Sequence, residues 1–406
     1  MFLLAMRPFK ALISLDEALT ICLGAVNPIA AKESLPLEKA TWRVAATQVR
    51  SRISVPLADR AAMDGYAVRA ADTYGAGKFK PETLRCVETL YADTVARKRV
   101  SKRRCIEVAT GSTIPRGADA VVMVEDTEKK GDRIAIHSPV HPGENVSPEG
   151  EDIKKGDVVI SEGEVLSPAK IGALAAIGAS RVSVFCKPVV SVLTTGDEVI
   201  KPGKPIRPGQ VYDINAYTLS AVIEENGGRP RRFPHAPDEM KPLREALKKA
   251  ASHDMVVFSG GSSVGEKDLI MDILKELGEV EFHGVAVKPG KPTVFGRVGK
   301  TPVLGMPGYP TSCLSNAYMI LAPMLRKMAR LPPKVEKTIE LPLSRRVVSA
   351  IGRTEFHTVR IEKGKAVPVY KESGAITSMA DADGYIRIPA NVDLLEAGEN
   401  VQVILF

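Results

Sequence analysis

The sequence predicts a multidomain α/β protein, in which a doubly wound sheet follows a β-rich insertion and precedes a smaller β region. Between 187 and 331, short apolar runs alternate with helical patterns, as in parallel sheets covered by helices on both faces. Residues 51–154 instead show short β-branched runs separated by turns, with helical patterns on both sides. A chain of 406 residues has material for about two to four domains.

Four regions follow from this organisation. A helical linker region is predicted from two separate segments, 1–50 and 155–186, because helices flank the β-rich insert. The inserted β-rich domain covers 51–154, the α/β domain covers 187–331, and a C-terminal β domain covers 332–406.

The linker region has three predicted helices. Ser14–Glu17 is a capping box, and we expect a helix from Ala18 to Val26 after it. A second helix is predicted around Leu37–Val49, and a third, rich in small residues, over Ser167–Ile177.

The α/β domain has the clearest pattern. Its helices are predicted to begin at Asn215, as an N-cap, near Asp238, after the loop that follows the third strand, and at the motif GMPGYP. A hairpin is expected between Glu281 and Val298. Its predicted strands are Val189–Leu193, Pro230–Phe233, Met255–Phe258 and Pro302–Leu304.

Composition excludes several classes of partner. The net charge is +8, but the densest basic cluster, Ala96–Arg104, has no aromatic residues around it for base stacking, so we expect no nucleic acid. Five cysteines without a C-x-x-C pair indicate a reducing compartment and argue against zinc. No apolar run approaches the roughly 20 residues of a membrane span, and we expect a cytoplasmic protein without membrane contact.

The loop SGGSSVG after the third strand has two interpretations. Glycine-rich loops that open a helix favour anions, but the same residues also form plain tight turns. Gly260 and Gly265 have the spacing of a nucleotide P-loop, yet Glu266, Lys267 and Asp268 follow where Lys and Ser or Thr are required.

Polar residues follow each strand at one predicted edge of the sheet. Because ligands bind outside the carboxyl ends of parallel strands, this edge is the candidate site. Lys288 and Lys291 lie nearby in KPGKP, where they could offset an oxyanion, although the motif alone also fits a turn. Glu198 and Asp268 could hold a divalent metal such as Mg²⁺ on a phosphate, although an acid at a helix start also stabilises the helix.

The insert contributes a second polar group. Asp64 lies in an Asp-Gly turn, Thr110 precedes a Pro turn, and Asp152 belongs to GEDI. A turn role for Asp64 remains open at this point.

Seven ordered motifs carry a resemblance to a known family. They are AAMDGYAV, TGSTIPRGADAVV, PGENVSPEGEDI, TGDEV, SGGSSVGEKD, KPGKP and GMPGYP, and GRTEFH extends the match into the C-terminal region. Together they resemble the molybdopterin molybdenumtransferases, the family of MoeA and the gephyrin E-domain. The resemblance implies a MoaB/Mog-like doubly wound α/β domain, a β-rich inserted domain, a helical linker region, a C-terminal β-barrel-like domain and a homodimer with composite active sites.

The resemblance also implies a reaction. Molybdate would be inserted into adenylylated molybdopterin, and AMP would be released with the help of Mg²⁺. The implied metal ligands are Asp238, Asp268 and Glu198, and the implied catalytic residues are Asp64, Asp238, Asp268, Lys288 and Lys291. The residues predicted to bind substrate are Thr110, Asp152, Glu198, Ser259, Gly260, Gly261, Ser263, Pro292, Pro307, Pro310, Arg353 and Ser378.

Two departures and two alternatives accompany the resemblance. Ser147, Pro148 and Glu149 stand where members often carry arginines, and Tyr309 gives PGYP where PGNP is common, which leaves molybdate and tungstate both open. A molybdopterin adenylyltransferase would share the α/β domain but lack the insert and the tail. A gephyrin-like scaffold would need a long linker or a binding repeat, which the sequence does not offer.

Overall fold

The computed structural model describes residues 12–260, 269–371 and 374–406. The chain divides into two compact units, one formed by Ser34–Val184 and the other by Met1–Glu33 together with Phe185–Phe406. In the described part of the chain, no helix combines the length and the apolar character that a membrane crossing requires.

The first helix confirms the capping box. Helix α1 covers Leu15–Ala25, and the Ser14 hydroxyl accepts a hydrogen bond from the Glu17 N–H at 3.2 Å. Strand β1 covers Lys32–Pro36.

Residues 34–184 are dominated by short strands, most of which lie in the part predicted to be β-rich, 51–154. One sheet has six strands in the order β7–β4–β6–β5–β9–β8. The elements are β2 Val49–Arg50, β3 Arg60–Ala61, β4 Gly65–Val68, β5 Glu82–Leu90, β6 Arg104–Val108, β7 Ala120–Met123, β8 Thr127–Lys130, β9 Arg133–Ile136, β10 Val146–Ser147, β11 Val158–Ile160, α2 Pro168–Ala176 and β12 Arg181–Phe185.

The helix predicted around Leu37–Val49 is wrong. Only Leu37–Lys39 form a 3₁₀ turn, and the following chain consists of turns, isolated β-bridges and the short strand β2. The Ala45 N–H donates to the Glu164 carbonyl at 2.8 Å, and the Ala46 N–H donates to the Ser183 carbonyl at 2.9 Å. Pairing with segments distant in sequence therefore overrides the local helical preference. The helix predicted over Ser167–Ile177 is confirmed as α2, which Ser167 caps.

The α/β domain has the predicted alternation. Its elements are β13 Val189–Thr194, β14 Val199–Ile200, β15 Val211–Tyr212, α3 Asn215–Glu225, β16 Arg229–Arg232, α4 Met240–Ala250, β17 Met255–Ser259, α5 Leu269–Leu277, β18 Gly278–His283, β19 Val287–Lys288, β20 Val294–Val298, β21 Thr301–Met306, α6 Pro310–Asn316, a π-helical segment Ala317–Leu321, and α7 Ala322–Met328.

The main sheet has the order β16–β13–β17–β21–β20–β18. Its first four strands are parallel, and the predicted hairpin adds β20 and β18 antiparallel at one edge. Alternate residues of β17 enter two separate cores: Met255 and Val257 pack in the core with α1, α3, α6 and α7, whereas Val256 and Phe258 pack in the core with α4 and α5. This two-faced burial confirms the doubly wound prediction.

The C-terminal region is β-rich, as predicted. Its principal sheet has the order β19–β24–β26–β28–β22, with β25 paired to β24. Strand β19, which carries Lys288, pairs in parallel with β24 and places Lys288 beside Glu355. The elements are β22 Thr338–Pro342, β23 Val347–Val348, β24 Thr354–Glu362, β25 Lys365–Pro368, α8 Thr377–Ala380, β26 Gly384–Ile388, β27 Leu394–Leu395 and β28 Asn400–Leu405.

The backbone conformation of Gly260, directly after β17, leads to a prediction about stability. Gly260 has a φ of +117°, and a Cβ there would overlap the Thr195 carbonyl oxygen. We expect Gly260→Ala to lower the free energy of unfolding by about 3 kcal/mol, because both backbone strain and a clash are introduced.

Gly203→Ala is the matched control for this prediction. Gly203 has a φ of +89°, but a Cβ added there would meet no atom within 4 Å. Its substitution should cost about 1 kcal/mol from strain alone. Equal losses for the two variants in urea denaturation would show that the close approach at Gly260 is unimportant.

Candidate active site

Three parallel strands end side by side at the candidate site. Thr194 at the end of β13 pairs with Ser259 at the end of β17, and Ser259 pairs with Met306 at the end of β21. The loops that begin at Thr195, Gly260 and Pro307 therefore leave the sheet at one edge, as the sequence predicts.

Side chains link these strand ends. The Asn215 amide Nδ2 donates to the Ser259 hydroxyl and to the Gly308 carbonyl, both at 2.8 Å. The Ser259 hydroxyl in turn donates to the Pro307 carbonyl at 3.2 Å. Ser259 is 1% exposed and Asn215 8%, so the site has an internal polar support beneath it.

The prediction that Asn215 is an N-cap is wrong. Asn215 is the first residue of α3, and its side chain points to the strand ends. The Asp213 carboxylate accepts from the Ala216 N–H at 2.9 Å, and also from the Thr194 hydroxyl at 2.7 Å. Asp213 thus satisfies the helix start and releases Asn215 for the network.

Carboxylates gather after β13. The Thr195 hydroxyl donates to Oδ1 of Asp238, and the Asp238 N–H donates to the Asp197 carboxylate at 3.3 Å. Glu198 is exposed in the same turn. The structure thus brings Asp238 to the turn that carries Glu198, although the two come from loops about 40 residues apart in sequence.

The turn KPGKP at residues 288–292, called the lysine turn from here on, is hydrogen-bonded to a buried amide. Nδ2 of Asn316 donates to the Gly290 carbonyl at 2.9 Å and to the Thr293 hydroxyl at 2.5 Å. Asn316 is fully buried, and a Cβ on Gly290 would overlap its amide, so only glycine fits there. Asn316 of α6 therefore fixes the backbone conformation of the turn that carries Lys288 and Lys291.

Lys288 is bound to the C-terminal domain. Its Nζ lies 3.2 Å from Oε2 of Glu355, a side chain that is 1% exposed. The same oxygen accepts from the Ser349 hydroxyl at 2.9 Å, and His357 Nδ1 lies 3.5 Å from Oε1. Burial alone would raise the pKa of Glu355, but the nearby His357 ring, the hydrogen bond from Ser349 and the charge of Lys288 outweigh it and lower the pKa to about 2.

Arg353 and Ser378 come from the same C-terminal region. Arg353 is half-buried and directly precedes β24, two positions before Glu355. Ser378 is fully buried in α8, and its hydroxyl donates to the Ala375 carbonyl at 2.8 Å. Thr311 of α6 also donates to this carbonyl, at 3.1 Å. Donation of the Ser378 hydroxyl to an oxyanion requires this internal bond to open.

The prolines predicted to bind substrate lie in the loops of this edge. Pro307 is buried at the end of β21, Pro310 is the first residue of α6, and Pro292 is half-buried in the lysine turn. Tyr309 is 66% exposed between them. Its phenol therefore projects from the loop without filling the core.

Residues 34–184 hold the second predicted group. Oδ1 of Asp64 accepts from the Thr110 N–H at 2.6 Å and from its hydroxyl at 2.9 Å. These bonds lower the pKa of the exposed Asp64 carboxyl, the N–H more than the hydroxyl. Thr110 also lines a cleft of about 470 Å³, together with Val55, which accepts from the Asp152 N–H at 3.1 Å.

Three predicted residues, Gly261, Ser263 and Asp268, lie outside the described residues. The roles assigned to them stay predictions.

Comparisons with known proteins place this architecture in a class. Three family models match successive parts of the chain: the MoeA N-terminal region (domain I and II) over 13–178, a probable molybdopterin binding domain over 191–327, and the MoeA C-terminal region (domain IV) over 340–406. The fold and its polar sheet edge therefore define a multidomain protein built around a molybdopterin-binding type of α/β domain.

Relatives of similar length specify the family. A molybdopterin molybdenumtransferase of Haemophilus influenzae is 33% identical over 85% of each chain, and molybdopterin molybdenumtransferase 2 of Mycobacterium tuberculosis is 32% identical over 91% of this chain and 94% of its own. A crystal structure of the molybdopterin biosynthesis MoeA protein of Pyrococcus horikoshii is 34% identical, with a TM-score of 0.82 over 98% of this chain and 100% of that chain. The chain belongs to the MoeA family of molybdopterin molybdenumtransferases.

Sequence reasoning misses the residues that support the site. Asn316 lies within a long helical run and carries no local signal of function. Glu355 lies in the motif GRTEFH, but the family resemblance assigns a role there only to Arg353. Asn215 is indicated by the sequence only as a helix start. A buried position for a polar residue is the signal that could have found them, and burial is known only from the fold.

The Glu355 cluster yields a prediction. Glu355→Gln keeps the size of the side chain but leaves the Lys288 ammonium without its carboxylate, so we expect a loss of about 2 kcal/mol in the free energy of unfolding. Glu336→Gln is the control, because Glu336 pairs with Arg387 at 2.6 Å while both side chains are nearly half exposed. That variant should lose less than about 1 kcal/mol. Similar losses in the two variants would contradict a special role for Glu355.

The same cluster predicts a dependence on pH. Because the folded-state pKa of Glu355 is about 2 and its ordinary value is 4.5, ionised Glu355 stabilises the fold fully above about pH 4.5. This contribution should fall as the pH drops from 4.5 towards 2. The free energies of unfolding of the native protein and of Glu355→Gln, measured by denaturation at each pH, should converge over this range. A constant difference between them would contradict the low pKa of Glu355.

Proposed function

We propose that this protein inserts molybdenum from molybdate into adenylylated molybdopterin and releases AMP. The observation that carries the proposal is the edge where β13, β17 and β21 end, in a chain of the molybdenumtransferase family. Carboxylates follow β13 there, and the turn with two lysines leads into β20, whose first residue pairs with Gly305 near the end of β21. A dithiolene pterin joined to AMP carries phosphates, and such an edge suits a phosphate-bearing ligand.

The lysine turn is the proposed oxyanion site. Lys288 is held at a fixed position by Glu355, and Lys291 lies beyond Gly290 on the same supported turn. Two cations on a rigid turn can offset the charge of molybdate without a change of conformation at the moment of reaction. Arg353 extends this positive edge from the C-terminal domain, and Ser263 and Ser378 complete the proposed set.

The carboxylates after β13 are the proposed magnesium ligands. Among the described residues, no three His, Cys, Asp or Glu side chains gather as a complete metal cage. Mg²⁺ is commonly held by one or two carboxylates together with water and substrate phosphates, so Asp238 and Glu198, with Asp268, form a donor set that fits it. When bound, Mg²⁺ would neutralise charge on the bridging phosphates. The Thr195 hydroxyl keeps the Asp238 carboxylate oriented by bonding its Oδ1.

The remaining predicted residues are proposed to position the substrate. Ser259, Gly260 and Gly261 would present backbone N–H groups, and Pro292, Pro307 and Pro310 would hold the loops that contact the pterin side. In the inserted domain, Asp64 is fixed by Thr110, and Asp152 lies beside the same cleft. Proton transfer by the protein has little part in this chemistry, which depends on position and charge.

The proposal is tested by following AMP. Purified protein is incubated with adenylylated molybdopterin and Mg²⁺, with molybdate, with tungstate, or with neither. We expect AMP release and metal-loaded pterin only when an oxometalate is added. The rates with molybdate and with tungstate show which of the two the protein prefers. A further arm contains molybdopterin, ATP and Mg²⁺, and synthesis of adenylylated pterin there would instead support an adenylyltransferase. No turnover in any arm would contradict both.

Lys291 gives a sharper prediction. Removing its ammonium should weaken molybdate binding by about 1.5–3 kcal/mol, or roughly ten- to a hundredfold, as for other charge-assisted hydrogen bonds. The measurement is the molybdate concentration dependence of AMP release by Lys291→Ala. Lys300→Ala is the control, since Lys300 is exposed at the opposite end of β21. An unchanged dependence in Lys291→Ala would remove this lysine from the site.

We further propose a homodimer with composite sites. The family resemblance implies that Asp64 and Thr110 of one protomer serve the sheet edge of its partner, and in a twofold dimer two such sites are equivalent. Asp64→Ala and Asp238→Ala should each be inactive alone. After subunit exchange, one site of a mixed dimer carries both lesions and the other carries neither, so about half of the native activity per mixed dimer should return. Verified exchange without recovered activity would show that each chain uses its own residues.

A further inference from the structure

Two cysteines outside the proposed site are direct neighbours in a sheet. Cys86 on β5 and Cys105 on β6 are paired residues of two parallel strands. Their side chains lie on the same face, because Cys105 belongs to the core of Tyr66, Leu84 and Ile134, and Cys86 packs against that core. Paired positions on adjacent strands bring two Cα atoms to about 5 Å, which lies within the range that a disulfide requires.

The two thiols differ in access. Cys105 is fully buried, whereas Cys86 is partly exposed, with its Sγ 3.3 Å from the Glu88 carbonyl. A hydrogen bond with Cys105 is the largest influence on Cys86 and lowers its pKa to about 6, while the pKa of Cys105 is raised by the same contact and by burial. Cys86 is therefore the thiol of the pair that ionises more readily, and the thiolate is the form that reacts.

The other cysteines do not share this arrangement. Cys22 and Cys313 are buried, and burial raises the pKa of each to about 12. Cys186 is partly exposed and lies in the other compact unit, so it provides a matched control.

We propose that Cys86 and Cys105 form a redox-modifiable thiol pair that a hydroperoxide converts to a disulfide. The Cys86 thiolate attacks the peroxide oxygen, which breaks the O–O bond and leaves Cys86 as a sulfenic acid and the peroxide reduced to an alcohol. The Cys105 sulfur then attacks the Cys86 sulfur, loses its proton and releases water. Starting from one thiolate and one thiol, the pair loses two electrons and one proton. The peroxide accepts the two electrons, and this proton together with one from solvent completes the alcohol and the water. This inference is independent of the molybdenum reaction.

The arrangement favours closure over further oxidation. A sulfenic acid that forms on Cys86 already faces its resolving thiol across one strand pair, so no rearrangement of the chain has to precede the second step. Because Cys105 is inaccessible to solvent, it reacts through Cys86 and not directly with the oxidant.

The test uses the full-length protein and peptide mapping. The native chain is treated with a small excess of tert-butyl hydroperoxide, free thiols are blocked, and the protein is digested with trypsin without reduction. Cleavage after Arg85, Arg97, Arg104 and Arg116 places the two thiols in separate peptides, 86–97 and 105–116. We expect these peptides to be joined, with a mass equal to their sum less two hydrogens, and dithiothreitol should separate them.

Three variants make the result specific. Cys105→Ser should stop at a Cys86 sulfenic acid that dimedone traps, and Cys86→Ser should leave Cys105 reduced. Cys186→Ser should form the linked peptides as the native chain does, and Cys86 should react with a disulfide reagent about tenfold faster than Cys186. Oxidation that reaches only Cys186, or that yields no linked peptides while Cys86 becomes a sulfinic acid, would overturn the proposal.

Discussion

The hydrogen bonds of Asn215 are the interaction on which the candidate site depends. They join the end of β17 to the loop after β21, and they come from the first turn of α3, the helix that follows β13 in the chain. Three segments distant in sequence are thus fixed relative to one another by one buried amide. A buried donor without a partner costs about 1–3 kcal/mol, so each of these bonds resists the separation of the strand ends.

The C-terminal domain completes the site by balancing charge. Its strand β24 pairs with β19 and inserts Glu355 beneath Lys288. A buried carboxylate without a cation would be strongly unfavourable, and a lysine without an anchor would sample many rotamers. The ion pair compensates the charge of the buried Glu355 carboxylate and restricts the Lys288 side chain. It also holds the Lys288 ammonium at the sheet edge where an oxyanion is expected. The β-rich C-terminal region thus supplies the buried anion that pairs with Lys288.

The unit formed by Ser34–Val184 presents its polar group in a different way. Asp64 and Thr110 bond each other in exposed turns next to β4 and β6, and the buried strands behind them are the support. In the same sheet β6 lies between β4 and β5, and the thiol pair lies on β5 and β6. Strands of one sheet therefore carry both the Asp64–Thr110 group and the thiol pair. The rigidity of a sheet allows its edges and turns to hold chemical groups while its faces form the core.

The sequence by itself determined the domain types and most elements of the α/β region, because alternation of apolar runs and helical periods is a local property. It also predicted site roles for Asp64, Thr110 and Lys288, which lie in contiguous motifs, whereas the predicted role of Asp238 came from the family resemblance. The false helix around Leu37–Val49 and the false N-cap at Asn215 have one cause: partners distant in sequence decided the conformation there. Only the tertiary structure showed Glu355 under Lys288, Asn316 under Gly290 and Cys86 beside Cys105. Each of these contacts joins residues at least 19 positions apart, and no periodic pattern encodes which buried side chain meets which.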